Sequence, residues 1–193
     1  MTVLLSLVSH GATAATRQAS FPADEPLSDS QVVLQAPSQW RGRKVLSSPK
    51  TACRQTVQHL GLKAEVDADL CDLDYGRWSG LALTEVAQAD PDALRRWTAD
   101  PAFRDHAGES RENLARRAAA WLDRIATGAD HAVAVTHASV IRALVVQVLA
   151  APPAAFWAID VAPASLTELR HDGRRWALRS LGCSLSAAQE PRG

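Results

Sequence analysis

The chain has 193 residues, with 21 basic side chains against 21 acidic ones and a formal net charge of zero. One domain of ~100–200 residues would use all of it, and a chain of that size buries roughly 70% of its unfolded surface. The 47% hydrophobic share excludes a wholly disordered chain, and the charge balance argues against a general nucleic-acid or polyanion binder.

Residues 3–8 form an apolar run closed by Gly11, which predicts a buried strand. Residues 13–19 can start a helix. Ser28 is placed to cap a second helix over 29–35, stopped by Pro37. Residues 44–47 read as another strand. Ser48 followed by Pro49 puts a hydroxyl cap before a proline at the first helical position, so a helix should run to about Leu60 and end at Gly61. Residues 67–75 are extended or irregular. Helices follow over 81–88 and, by the same cap logic at Asp90-Pro91, up to Thr98. Ser110 should cap a long amphipathic helix over 111–126, with Leu114, Ala118, Trp121 and Ile125 at helical spacing. Residues 131–136 are an apolar strand, and 139–149 a helix closed by Pro152-Pro153. Residues 165–170 and 174–179 alternate around Asp172-Gly173, a hairpin signal.

Strands alternating with helices imply an α/β fold, a three-layer αβα sandwich with a mostly parallel central sheet and a C-terminal β-hairpin. A single domain over 1–182 is expected, with 183–193 as a flexible tail. Cys53, Cys71 and Cys183 make an odd, widely spaced set without a CxxC pair, so free thiols in a reducing cytoplasm are expected. No apolar run approaches the ~20 residues of a membrane span, and the first run reads as a buried strand rather than a cleaved signal.

Ligands of open α/β sheets bind outside the carboxyl ends of the strands. Two of the strongest strands end alike, in Ser9-His10-Gly11 and Thr136-His137-Ala138. Each delivers a histidine to that rim. The helix start at Ser48 adds backbone N–H groups that attract anions. His59, His131 and His171 have no such placement and read as surface residues, while His106 stays open.

LVSHGAT, SSPKTACRQT, DLDYGRWSG, GES and VTHASVIR stand in that order along the chain. They resemble LVRHGET, SSPLxRAxQT, ExDFGxWEG, GES and VsHGGxIR of the histidine phosphatase superfamily, the phosphoglycerate-mutase-like proteins. The resemblance covers about residues 1–149. It implies phosphoryl transfer through a phosphohistidine, with no metal or organic cofactor. It places His10 on the nucleophile, His137 on a second histidine whose cation steadies the phosphoryl oxygens, and Asp72 on the acid that protonates the leaving oxygen and then activates water. Asp72 is shorter than the more usual Glu, and Asp74 reads as structural. Ser9, Gly11, Thr16 and Ser48 would contact substrate, and Glu109 with Ser110 would form the pocket rim.

Both arginines of the family's phosphate pocket are absent, since Ser9 and Ala52 stand in their places. Arg54 falls about 200° around the helix from Ala52. Arg17, Lys50, Arg111, Arg142 and His106 are other possible donors. Removing one buried charged contact costs about 2–5 kcal/mol, so two losses project to roughly 10³–10⁷-fold in rate. The first expectation is therefore a weak or specialised phosphomonoesterase acting on a small molecule. A catalytically impaired small-molecule binder is the second, and a metal site on His10, His137 and Asp72 a third. The small α-ribazole phosphatases resemble this chain, but none of its residues reads a ribazole ring.

Overall fold

The computed structural model describes residues 2–28, 35–128 and 130–185. Its first strand, β1 (Val3–Ser9), is buried along nearly its whole length, as a run of Val and Leu without charge requires. The other strands are β2 (Lys44–Ser47), β3 (Glu65–Val66), β4 (His131–Thr136), β5 (Ser165–His171) and β6 (Trp176–Ser184), in the order β3-β2-β4-β1-β5-β6. The first four of that order run parallel, and β5 and β6 are antiparallel to their neighbours. This is the mostly parallel sheet with a C-terminal hairpin that the alternation of elements predicts.

The helices are α1 (Ala14–Gln18), α2 (Thr51–His59), α3 (Leu83–Ala89), α4 (Pro91–Ala99), α5 (Arg111–Ala126) and α6 (Ala138–Val148). Side chains alternate across a strand, and the core divides accordingly. Ala132 and Ala134 of β4 join Leu5 and Leu7 in one cluster with Leu114, Trp121 and Leu144 of α5 and α6. Val133 and Val135 join Val8 in the other, with Cys53 and Val57 of α2 and Trp40. The cap logic holds at two starts: Asp90 Oδ1 accepts from the Ala93 N–H at 2.9 Å, and Ser110 Oγ from the Asn113 N–H at 3.2 Å.

Four details depart from the sequence expectations. α2 begins at Thr51, with Lys50 rather than Ser48 at its cap. Its first free N–H, that of Thr51, donates instead to Asp24 Oδ1 at 2.7 Å, a carboxylate from a distant segment. β6 continues to Ser184 and Leu185 is buried, so order extends past the expected domain end at 182. His131 is not a surface residue: it is 8% exposed, and its Nε2 lies 3.1 Å from Ser6 Oγ on the neighbouring strand. Residues 29–34 of the helix expected over 29–35, and most of the expected tail, lie outside the described residues.

Candidate active site

β1 and β4 pair in parallel register, Ser9 opposite Thr136. The residues just beyond, His10 and His137, therefore emerge side by side. Their ring centroids are 5.0 Å apart, edge to face. The His10 N–H donates to the Thr136 carbonyl at 2.9 Å, which extends the ladder by one step.

His10 Nδ1 lies 2.7 Å from the Gly11 carbonyl oxygen. A carbonyl only accepts, so Nδ1 carries the proton and the neutral ring keeps its lone pair on Nε2. Gly11 is fixed in turn, its N–H donating to Thr56 Oγ1 of α2 at 3.0 Å.

His137 is engaged on both sides. Its Nε2 is 2.9 Å from Ser48 Oγ and 3.4 Å from Cys53 Sγ. Its Nδ1 faces Asp72 Oδ2 at 3.6 Å. Burial drives its pKa down to about 4; the Asp72 carboxylate opposes that, and His10 adds to it. With that pKa the imidazole is neutral at neutral pH. A carboxylate facing Nδ1 favours a proton there, which leaves Nε2 to accept from the Ser48 hydroxyl.

Asp72 is placed by the loop before it and by the start of α6. Its Oδ1 accepts from the Leu73 N–H at 2.8 Å and from the Ser139 hydroxyl. That loop is held by Arg117 of α5. Nη1 donates to the carbonyls of Asp69 and Cys71, at 2.7 and 3.0 Å, and Nη2 to that of Asp72 at 3.3 Å. The other edge of the guanidinium forks onto Glu109, Nε to Oε1 at 3.1 Å and Nη2 to Oε2 at 2.7 Å. Sequence reasoning missed Arg117, because an arginine in an Arg-Arg pair on an amphipathic helix reads as solvated surface.

His10 and Asp72 line one cavity of about 140 Å³. Thr13 and Thr16 of the α1 start, Ser139 and Arg142 of α6, and the aromatic rings of Tyr75, Trp97, Phe156 and Trp157 complete its walls. Arg142 is its one Lys or Arg side chain among the described residues. It is anchored through Nε to the Ile159 carbonyl at 2.8 Å. Ala138 and Ser139 bring the N-terminal end of α6 to the same wall, where the helix dipole is positive.

Of the residues expected at the site, His10, Asp72 and Thr16 line this cavity. Ser9, Gly11, Ser48, His137, Glu109 and Ser110 do not. Ser9 is buried in the sheet, and Ser48 is spent on His137. Glu109 forks with Arg117 instead of forming a pocket rim, and Ser110 is the cap of α5. The end of α2, expected to present N–H groups to an anion, has Asp24 on it; the end of α6 faces the cavity instead. Arg17, Lys50 and Arg54 are not in the cavity wall, and Arg111 lines a different one. His106 is fully buried against Trp78 and Phe103. Among the described residues no three His, Cys, Asp or Glu side chains come together in a way that could hold a metal ion. Among them, too, no helix is long and apolar enough to cross a membrane.

Residues 5–184 match the family model of the histidine phosphatase superfamily (branch 1). A bifunctional protein of Mycobacterium tuberculosis is 34% identical over 137 residues, which are 67% of this chain and 38% of that protein. Phosphoserine phosphatase 1 of Hydrogenobacter thermophilus is 27% identical over 109 residues, 55% of this chain and 52% of that one. The chain thus spans about two fifths to half the length of these relatives. Among solved structures, the mycobacterial glucosyl-3-phosphoglycerate phosphatase complexed with VO3 superposes with a TM-score of 0.78. It is 25% identical, and the match covers 94% of this chain and 100% of that one.

Proposed function

The chain belongs to the histidine phosphatase superfamily, branch 1, and on that premise we propose that it hydrolyses a phosphate monoester of a small molecule through a phosphohistidine at His10. The observation that carries this reading is the His10 Nδ1–Gly11 carbonyl bond, which leaves the Nε2 lone pair available in a cavity shared with a carboxyl group.

In the first step the Nε2–P bond forms and the P–O bond of the ester breaks. Asp72 gives its proton to the leaving oxygen. In the second step Asp72 takes a proton from water, whose oxygen attacks phosphorus and frees His10. Asp72 begins as an acceptor of two hydrogen bonds on Oδ1, so Oδ2 is the oxygen left for the proton. An incoming phosphoryl dianion beside Asp72 favours that protonated form.

Electrostatic stabilisation carries most of phosphoryl-transfer catalysis, and here the positive charge is sparse. Arg142 and the α6 N-terminus are the positive groups that the cavity wall offers a phosphoryl oxygen. Turnover of generic esters is therefore slow. The aromatic walls favour a leaving group with a planar or apolar face.

The test is hydrolysis of p-nitrophenyl phosphate with acid-labile phosphoenzyme trapping. His10→Ala should abolish both, and Arg142→Met should lower the rate about ten- to a hundredfold. Hydrolysis that persists in the folded His10→Ala protein would overturn the reading. A second reading, a binder without turnover, is favoured by the Asp24 carboxylate on the α2 N-terminus and by a cavity smaller than the usual ~300 Å³ of ligand pockets. Ligand binding without any phosphoenzyme would support it.

A further inference from the structure

A second cavity, of about 420 Å³, opens between the first turn of α5, α6 and the turn at Pro153–Ala158. Its walls are mostly apolar, including Ala115, Ala143, Val146 and Phe156; Arg111 is the one cation among them and Glu112, with an outward, 60% exposed side chain, the one carboxylate.

Arg111 is only 6% exposed and makes no ion pair among the described residues. Its Nη2 donates to the Trp97 and Thr98 carbonyls at 3.1 and 3.0 Å. Its guanidinium carbon lies 4.9 Å from the centre of the Trp157 ring and 5.8 Å from that of Phe156. Nε is buried without a hydrogen-bond partner, and among the described residues Nη1 makes no bond either. Burial lowers the guanidinium pKa, with Asp100 opposing.

Arg111 is also the first residue of α5, at the positive pole of a sixteen-residue helix, where a cation is disfavoured. The nearby carboxylates do not compensate. Glu112 has a 60% exposed side chain, 3.8 Å from Arg116. Asp100 Oδ1 accepts from the Ala102 N–H. A buried cation with unused donors is unfavourable until an anion joins it.

We propose that this cavity binds a small amphipathic carboxylate, its head at the unpartnered Nη1 of the Arg111 guanidinium and its alkyl chain along Ala115, Ala143 and Val146. With Nη2 held by two carbonyls, Arg111 offers a carboxylate oxygen one charge-assisted N–H bond. The apolar walls and single cation suit a monoanion with a tail better than a compact dianion such as phosphate. The site is separate from that of His10, although Phe156 lines both cavities.

Calorimetric titration with octanoate, octanol and inorganic phosphate tests it. The wild-type protein should bind octanoate at millimolar concentration or below, and octanol at least about tenfold more weakly. Arg111→Met should weaken octanoate about ten- to a hundredfold. Val146→Trp, which fills the cavity and leaves Arg111 in place, should abolish binding even if the first variant fails to fold. His10→Ala should leave it unchanged. No heat with octanoate, equal binding of octanol, wild-type affinity in a folded Arg111→Met or Val146→Trp protein, or loss of binding in His10→Ala would each overturn the proposal.

Discussion

Ser48, His137, Asp72 and Ser139 form one short polar row that ends in the wall of the His10 cavity, and the neutral state of His137 is its pivot. The folded pKa of about 4 lies below the 6.5 of an ordinary imidazole. Between those values the unfolded chain binds more protons than the folded one. Stability is therefore full above about pH 6.5 and falls as the pH drops towards 4, by up to about 3 kcal/mol from this residue. Burial lowers the pKa of His106 and His131 as well, so they add to the loss in the same direction. Urea unfolding across this pH range should give a shallower slope for His137→Gln than for the wild-type protein. An unchanged slope would mean that His137 is already charged in the fold. The two site histidines were legible in the sequence because each ends a buried apolar run. The mutual bond of Ser48 and His137 was not, since a Ser before a Pro reads locally as a helix cap.

The loop carrying Asp72 depends on the α5 clamp for its shape. Arg117 and Glu109 are both about four-fifths buried, at 20% and 18% side-chain exposure. Arg117→Met strands a buried carboxylate and frees three loop carbonyls. It should cost about 2–4 kcal/mol in chemical unfolding and should lower phosphoenzyme formation by loosening Asp72. Adding Glu109→Gln should recover part of the stability, giving a double variant less damaged than the two single costs summed. The GES segment was visible in sequence, but its role here is to clamp and cap, which spacing alone could not tell from a pocket rim. Gly108 adds a steric constraint to the same region. A Cβ there would stand 2.2 Å from the Asp74 carbonyl oxygen and 2.7 Å from the Gly76 nitrogen. Gly108→Ala should lose about 3 kcal/mol or more in thermal or chemical unfolding; a near-neutral result would show that the two strands of this loop can separate freely. β3 escaped sequence reasoning because its two residues are exposed and carry no alternation to read.

Across the whole molecule, the alternation of apolar runs and helices was sufficient to give the sheet and its hairpin, since buried parallel strands show as short runs of Val, Leu and Ala. Strand order is a property of distant pairs, and no local pattern records it. β1 lies between β4 and β5. Both of its partners come from the later part of the chain. During synthesis this apolar, β-prone segment leaves the ribosome before both partners and must wait, unpaired, until residues 131–136 and then 165–171 follow. Until then its N–H and C=O edges are open to any other strand, including the same segment of a neighbouring nascent chain. The arrangement that sets the two histidines side by side thus leaves β1 prone to aggregation during translation, and the His10 cavity cannot form until β4 has docked.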